Sequence, residues 1–284
     1  MRELAFRVCI GDATYPVRLH DLADPPPELW VIGDLSLLNL PVVAVVGTRR
    51  ATLYGERVAR ELAGALARAG ACVMSGMARG IDGIAHIAAL DAGGATAAVL
   101  GTGVDLAYPT SHGALHRRIA QKGLLLSELP LGAHSHGGSF PRRNRLIAAL
   151  AQLTIVVEAP VKSGALITSN IANDLGRSVG AVPGPIDAPQ SEGSNLLFRD
   201  GAQPITGVED ALALIGLTPA PRAPNDLSDP DELRVWRSLA QGASDLDTLC
   251  HRSSLPVHRC LAAVTALELR GAIELSLTGE VRRR

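Results

Sequence analysis

At 284 residues the chain has room for one large domain and one small one. Apolar residues at 47% against 19% charged exclude general disorder, and aromatics at 3% leave the core to Leu, Val, Ile and Ala, which suits α/β layering. A net charge of −1 excludes a protein that wraps a polyanion with its whole surface, so a polyanion site is a local patch.

The cation of that patch is arginine, because Lys122 and Lys162 are the only lysines. A GC-rich genome accounts for the general arginine bias but not for clusters at chosen positions. Cys9, Cys72, Cys250 and Cys260 lack metal-type spacing, and Cys72 reads as a core thiol. No signal peptide opens the sequence and no apolar run is long enough to span a membrane. A reducing cytoplasm is the simplest reading.

Residues 1–40 read as a lead-in segment with one strand at 29–32. Residues 42–46 (Val-Val-Ala-Val-Val) are a fully apolar strand ended by Gly47. Residues 54–69 carry helical periodicity up to Gly70. A strand at 71–75 leads through Gly76 to a helix beginning near Arg79-Gly80-Ile81-Asp82. A strand at 96–100 ends in Gly101-Thr102-Gly103. Then come a helix at 111–121, a strand at 124–127, a helix at 142–151, a strand at 153–157 and a helix at 164–176. A strand at 178–182 and a short β-α pair at 203–215 complete the series. Alternating strands and helices with short glycine turns predict an extended Rossmann-like, mostly parallel sheet covered on both faces over 41–216. Ligands of such sheets bind beyond the C-terminal strand ends.

Residues 217–229 are a proline-rich polar linker. Residues 230–284 form a second unit, with helices at 230–240, 245–251 and 256–270 and a hairpin across 273–282 turning at Thr278-Gly279. That is the winged-helix pattern, or equally a generic three-helix packing unit.

Four strand-end loops suit an anion. They are Gly47-Thr48-Arg49-Arg50, then Ser75-Gly76 through Asp82, Gly101-Thr102-Gly103, and Ser163-Gly164 through Thr168. Neither a dinucleotide fingerprint nor a P-loop is present. The most distinctive stretch is Ser139-Phe140-Pro141-Arg142-Arg143-Asn144-Arg145. Arg142, Arg143 and Arg145 offer guanidinium groups at a helix start, and a base could stack on Phe140. One of these arginines could instead brace neighbouring loops through Glu158 or Asp82. Glu128 and Glu158 face the same rim, where pairing with arginine is commoner than activating water. His86, His112, His116, His134 and His136 have no metal-ligand spacing, so no metal or other cofactor is expected.

Taken together, these stretches resemble the DNA processing protein A family, also called DprA or Smf. The resemblance rests on Val-Val-Gly-Thr-Arg at 45–49, Ser-Gly-Met-Ala-Arg-Gly-Ile-Asp at 75–82 and Ala-Val-Leu-Gly-Thr-Gly at 98–103. It continues through Tyr-Pro at 108–109, Phe-Pro-Arg-Arg-Asn-Arg-Leu-Ile-Ala at 140–148, Val-Val-Glu-Ala at 156–159, Ser-Gly-Ala-Leu-Ile-Thr at 163–168 and Ala-Val-Pro-Gly at 181–184. It implies a cytoplasmic, non-catalytic protein of natural transformation that binds single-stranded DNA, protects it and helps load RecA. It also implies a homodimer, and a C-terminal unit that meets duplex DNA or a protein. By position, its DNA pocket comprises Arg49, Ser75, Gly76, Phe140, Arg143, Asn144, Arg145, Ser163, Gly164 and Thr168, beside the Arg142 singled out above.

Three departures stand out. There is no room for the family's N-terminal helical domain before the first Rossmann strand. His134, His136 and glycines replace a lysine usual before the phenylalanine, and Gly-Thr-Gly replaces Gly-Cys-Gly. Two alternatives use the same pattern. One is a nucleotide phosphoribohydrolase-like enzyme, disfavoured because Ser163–Thr168 lacks that family's glycine-rich loop and following glutamate. The other is a ligand-sensing transcription regulator, disfavoured because His258-Arg259-Cys260-Leu261 offers little for base readout.

Overall fold

The computed structural model describes residues 5–219, 229–269, 272–276 and 279–283. The chain divides into two compact units, Met1–Pro219 and Ala220–Arg284.

The first unit is built on β1 (Phe6–Cys9), β2 (Glu28–Gly33), β3 (Val42–Val46), β4 (Cys72–Ser75), β5 (Thr96–Val99), β6 (Leu124–Ser127), β7 (Leu153–Val156), β8 (Ser178–Ala181) and β9 (Gln203–Pro204). They form one sheet in the order β1-β2-β6-β5-β4-β3-β7-β8-β9. From β6 to β9 every neighbouring pair is parallel. Its helices are α1 (Leu53–Arg68), α2 (Ile81–Asp91), α3 (Gly113–Lys122), α4 (Ser139–Leu150), α5 (Gly164–Asp174), α6 (Glu192–Leu196) and α7 (Val208–Ala213).

The two-residue period of a strand explains the layering. Val42, Ala44 and Val46 join α4's Leu146, Ile147 and Leu150 on one face. Val43 and Val45 join α1's Leu62 and Leu66 on the other. Both faces of β3 are therefore dry, and each fully buried Val or Leu contributes about 1.5–3 kcal/mol.

β3 is also where the winding reverses. The chain runs outward through β4, β5 and β6, returns along α4, and lays β7 on the other flank of β3. Val46 stands opposite Val156 in that pair. The loops after β3 and β7 therefore leave the sheet side by side, and the crevice between them is the place such sheets use for ligands.

Besides the short α6, which the sequence reading did not include, the structure departs from that reading at two elements. Two strands, not one, precede β3. β1 pairs antiparallel with β2, and β2 antiparallel with β6, so this edge of the sheet is mixed. Four residues are too short a run for an alternating pattern to show above background. The second departure is α4, which starts at Ser139 rather than at 142, after Gly138 in the left-handed region at φ 99°. Pro141 thus sits in the first helical turn, where its missing N–H costs nothing. The shift puts Phe140 and Arg142 on a rigid helix.

The second unit has α8 (Pro230–Ser238), α9 (Leu246–Ser253) and α10 (Val257–Leu269), followed by the antiparallel pair β10 (Ile273–Leu275) and β11 (Val281–Arg283). Asp229 caps α8 and Asp245 caps α9 through their side chains. Val235, Trp236, Leu249, Val264, Leu267, Ile273 and Val281 form its core. Residues 220–228 of the expected linker and Thr278 of the expected hairpin turn lie outside the described residues.

Candidate functional site

A cleft of about 360 Å³ opens at the C-terminal ends of β3 and β7. Its walls are the loop after β3, the start of α4 and the start of α5, with Ala78 and Asp82 from the turn into α2. Thr48, Arg49, Phe140, Asn144, Ser163 and Thr168 are among the residues lining it.

The first loop is pressed against its neighbours. Thr48 N–H donates to the Glu158 carbonyl at 2.7 Å. A Cβ on Gly47 would come within 2.6 Å of Ile81, so only glycine lets the chain pass here. This turns Arg49 outward, exposed, with its guanidinium 5.4 Å from the Phe140 ring centroid. Among the described residues no carboxylate pairs with Arg49, so its charge faces solvent and cleft.

The fourth loop starts α5. Ser163 caps it by accepting from Ala165 N–H at 3.2 Å. The Gly164 carbonyl is taken by Asn144 Nδ2 at 3.1 Å and by Thr168 Oγ1 at 3.3 Å. Asn144 thereby locks α4 to α5. What remains open toward the cleft is the amide end of α5, with Lys162 exposed beside it. Both favour an anion.

The other two loops turn most of their expected anion-site groups inward, although Ala78 and Asp82 of the second also line the cleft and its Arg79 is exposed. In the second, Met77 adopts φ 54° and bends the chain so that Gly76 N–H and Ala78 N–H both donate to the Asp82 carboxylate, at 3.2 and 3.3 Å. The nest is real, but its anion is internal. Ser75 is fully buried and donates its hydroxyl to the Val45 carbonyl. Gly76 is needed because a Cβ there would meet the Arg143 guanidinium at 2.4 Å. In the third loop, a Cβ on Gly101 would press on Phe140 at 2.9 Å, and the Thr102 hydroxyl donates to the Leu106 carbonyl. That loop is a seat for the Phe140 ring.

The three arginines of α4 part company. Arg143 is 4% exposed and donates to the carbonyls of Gly76 and Val99 and to Asn144 Oδ1. Burial pushes its guanidinium down to about 10, against the pull of Asp82. Burial likewise pushes the Asp82 carboxyl up, opposed by the Arg143 charge and the two amides. Arg143 and Asp82 are the brace between neighbouring loops. Arg142 and Arg145 both reach Glu128, at 3.2 and 2.5 Å, and Arg145 also donates to the Asp24 carbonyl. Arg145 does not line the cleft. Of the residues singled out in the sequence, the cleft gathers Arg49, Phe140, Arg143, Asn144, Ser163, Gly164 and Thr168. It leaves Ser75, Gly76, Arg142 and Arg145 behind or beside it.

The acidic residues are likewise engaged. Glu158 is 2% exposed and accepts from the N–H and the hydroxyl of Thr52, the cap of α1. Glu128 holds the two arginines. Neither lines the cleft. Among the described residues no cluster of His, Cys, Asp and Glu could hold a metal ion, and no helix is long and apolar enough to cross a membrane.

Sequence reasoning missed Lys162 and Tyr108. The latter packs on Phe140 with ring centroids 5.0 Å apart. A lone lysine and a Tyr-Pro pair are weak signals, and only the fold brings them to this rim.

The chain is similar to known proteins. The family model for DNA recombination-mediator protein A matches residues 6–216, and that for the DprA winged helix domain matches residues 218–279. A putative DNA processing protein DprA of Mycobacterium tuberculosis is 42% identical over 267 residues, spanning 90% of this chain and 69% of the relative. The solved DNA processing protein A of Streptococcus pneumoniae superposes with a TM-score of 0.71 at 40% identity, covering 75% of this chain and 74% of that one. The DNA processing protein A of Helicobacter pylori, which binds single-stranded DNA, superposes with a TM-score of 0.69 at 32% identity, covering 76% of this chain and 99% of that one. A chain with this sheet, this reversal point and these matches across both of its units belongs to the DNA processing protein A family.

Proposed function

We propose that this chain binds single-stranded DNA as a recombination mediator in natural transformation, protecting incoming strands and helping to load RecA onto them. The observation that carries the reading is the cleft at the reversal point. Arg49 stands unpaired beside an aromatic ring, opposite the open amide end of α5. A phosphate fits between Arg49 and the Ser163–Gly164 amides, and no base-reading group is needed around it. In this reading Arg49, Phe140, Asn144, Ser163 and Gly164 form the contact surface, and the buried Thr168 holds the Gly164 carbonyl behind it. Ser75, Gly76 and Arg143 position it, and Arg142 and Arg145 tie α4 to Glu128. The engaged carboxylates Glu128 and Glu158 support a binding protein over a phosphoribohydrolase. A cytoplasmic homodimer fits the family relationship.

Binding of a labelled oligodeoxythymidylate, followed by anisotropy across a salt series, tests the reading. Affinity should fall linearly in log–log form with salt. Arg49→Ala should weaken binding about tenfold or more while the melting temperature holds, as expected for an exposed residue whose side-chain contact is the Phe140 ring. Equal binding by Arg49→Ala, or equal preference for duplex, would overturn the proposal. The RecA step is tested separately, by whether the protein shortens the lag of RecA filament growth on a coated strand.

A further inference from the structure

Phe140 divides the rim in two. On its far side from the cleft lies a second cavity of about 410 Å³, which shares Arg49 and Phe140 with the first and adds Arg50, Arg79, Tyr108 and Thr110.

Phe140 is already covered on two sides, by Arg49 at 5.4 Å and by the backbone at Gly101, where a Cβ would stand 2.9 Å from the ring. Tyr108 is different. It lies against Phe140 at an interplanar angle of 34° and is 44% exposed. The open aromatic surface of this row is therefore that of Tyr108. Arg50 and Arg79 are exposed and, among the described residues, have no carboxylate partner. Arg142 and Arg145, on the same rim, share Glu128. A cavity that combines free guanidinium groups with an open ring has the chemistry of a nucleotide site: charge for the phosphate, a π-face for the base.

We infer that this second cavity takes the next nucleotide of the strand. Its base stacks on Tyr108 and its phosphate meets Arg50 and Arg79. Arg49, which lines both cavities, meets the phosphate that joins the two nucleotides. The inference rests on the single-strand reading above, and its test separates the two.

Affinities for thymidine monophosphate, for the thymidylate dinucleotide and for a longer oligodeoxythymidylate are compared in the full chain and its variants. The native protein should bind the dinucleotide more tightly than the monophosphate, and Tyr108→Ala should erase that gain. On the longer strand Tyr108→Ala should cost roughly tenfold, within the range of one lost base stack, and Tyr108→Phe should restore binding because the ring is kept. Arg50→Ala with Arg79→Ala should lower the salt slope by about 0.7, the share of one single-strand phosphate. If Tyr108→Ala binds as the native protein does while Arg49→Ala fails, the second subsite falls and the first cavity stands. If both variants bind normally, both readings fall. Equal loss in Tyr108→Phe and Tyr108→Ala overturns the stacking role, and a native melting temperature in Tyr108→Ala separates lost binding from lost fold.

Discussion

Two arginines of one rim, Arg49 and Arg143, do opposite things because their burial differs. Arg49 is exposed, lies over the Phe140 ring and, among the described residues, pairs with no carboxylate. Arg143, inside the protein, satisfies two carbonyls and balances Asp82. Removing it strands a buried carboxylate and two acceptors, so Arg143→Ala should destabilise the first unit by about 3–5 kcal/mol in urea unfolding. Arg49→Ala should change stability by less than about 0.5 kcal/mol. A drop in DNA affinity is expected from both variants, and stability tells them apart.

A neighbouring buried group adds a pH dependence. His86 is fully buried, and its Nδ1 shares a 2.7 Å hydrogen bond with Thr96 Oγ1, whose own proton goes to the Val73 carbonyl. Nδ1–H is therefore the donor, and the ring is neutral. Burial first, then the Arg143 and His112 charges, push its pKa from 6.5 down to about 3. The unfolded chain takes up a proton below pH 6.5 while the folded chain refuses it until about pH 3. Stability is thus whole above that window and falls as pH drops through it, by up to about 1.4 kcal/mol per pH unit. His86→Gln should flatten this acid slope in urea titrations, whatever it costs at neutral pH. An unchanged slope would mean that the imidazole is reached by water.

At the scale of elements, strand-end glycines explain what the sequence could and could not say. The strands buried on both faces were legible, because they leave unbroken apolar runs such as Val42–Val46; the half-exposed β1 was not. The role of each glycine loop was not legible. A glycine that admits a ligand and one that admits another part of the protein look alike in one dimension. Gly76 and Gly101 are of the second kind, making way for Arg143 and Phe140 from α4, and no local pattern announces a contact across 67 residues. The cluster on α4 was legible as a functional element, but that Arg143 is buried as a brace while Arg142 and Arg145 share Glu128 shows only in the fold.

Gly55 makes the same point as a prediction. It lies in the first turn of α1, where Ala ordinarily gains about 1 kcal/mol of helix propensity. Here a Cβ would stand 2.2 Å from the Glu158 carboxylate that caps the helix through Thr52. Gly55→Ala should therefore destabilise, by about 1–3 kcal/mol, through the displaced cap and the crowded buried carboxylate. A gain in denaturation midpoint would show that Glu158 moves aside freely.

At the scale of the whole molecule, the two units present different surfaces. The exposed side of α10, the helix that would read a groove in a winged-helix protein, presents Val257, Leu261 and Leu269. Its arginine, Arg259, is held in a two-pronged ion pair with Asp231 at 2.6 and 2.7 Å. Cys260 is buried, and burial raises its thiol to about 11, so it offers neither a donor to a base nor a reactive thiolate. A helix with this face lacks the bidentate donors that recognise guanine or adenine. The cleft and the second cavity, by contrast, are made wholly of residues from Met1–Pro219, a unit whose core is closed on itself. These two facts predict how function divides along the chain. A fragment of residues 1–219 should fold, bind oligodeoxythymidylate with the affinity of the full chain, and keep the same salt slope. Residues 229–284 should show no sequence-dependent duplex binding in a mobility-shift assay at physiological salt. Breaking the ion pair by Arg259→Ala should lower the melting temperature of this small unit without changing strand affinity. Loss of single-strand binding in the fragment would place a DNA contact in the second unit and require cations there that Asp231 does not already hold.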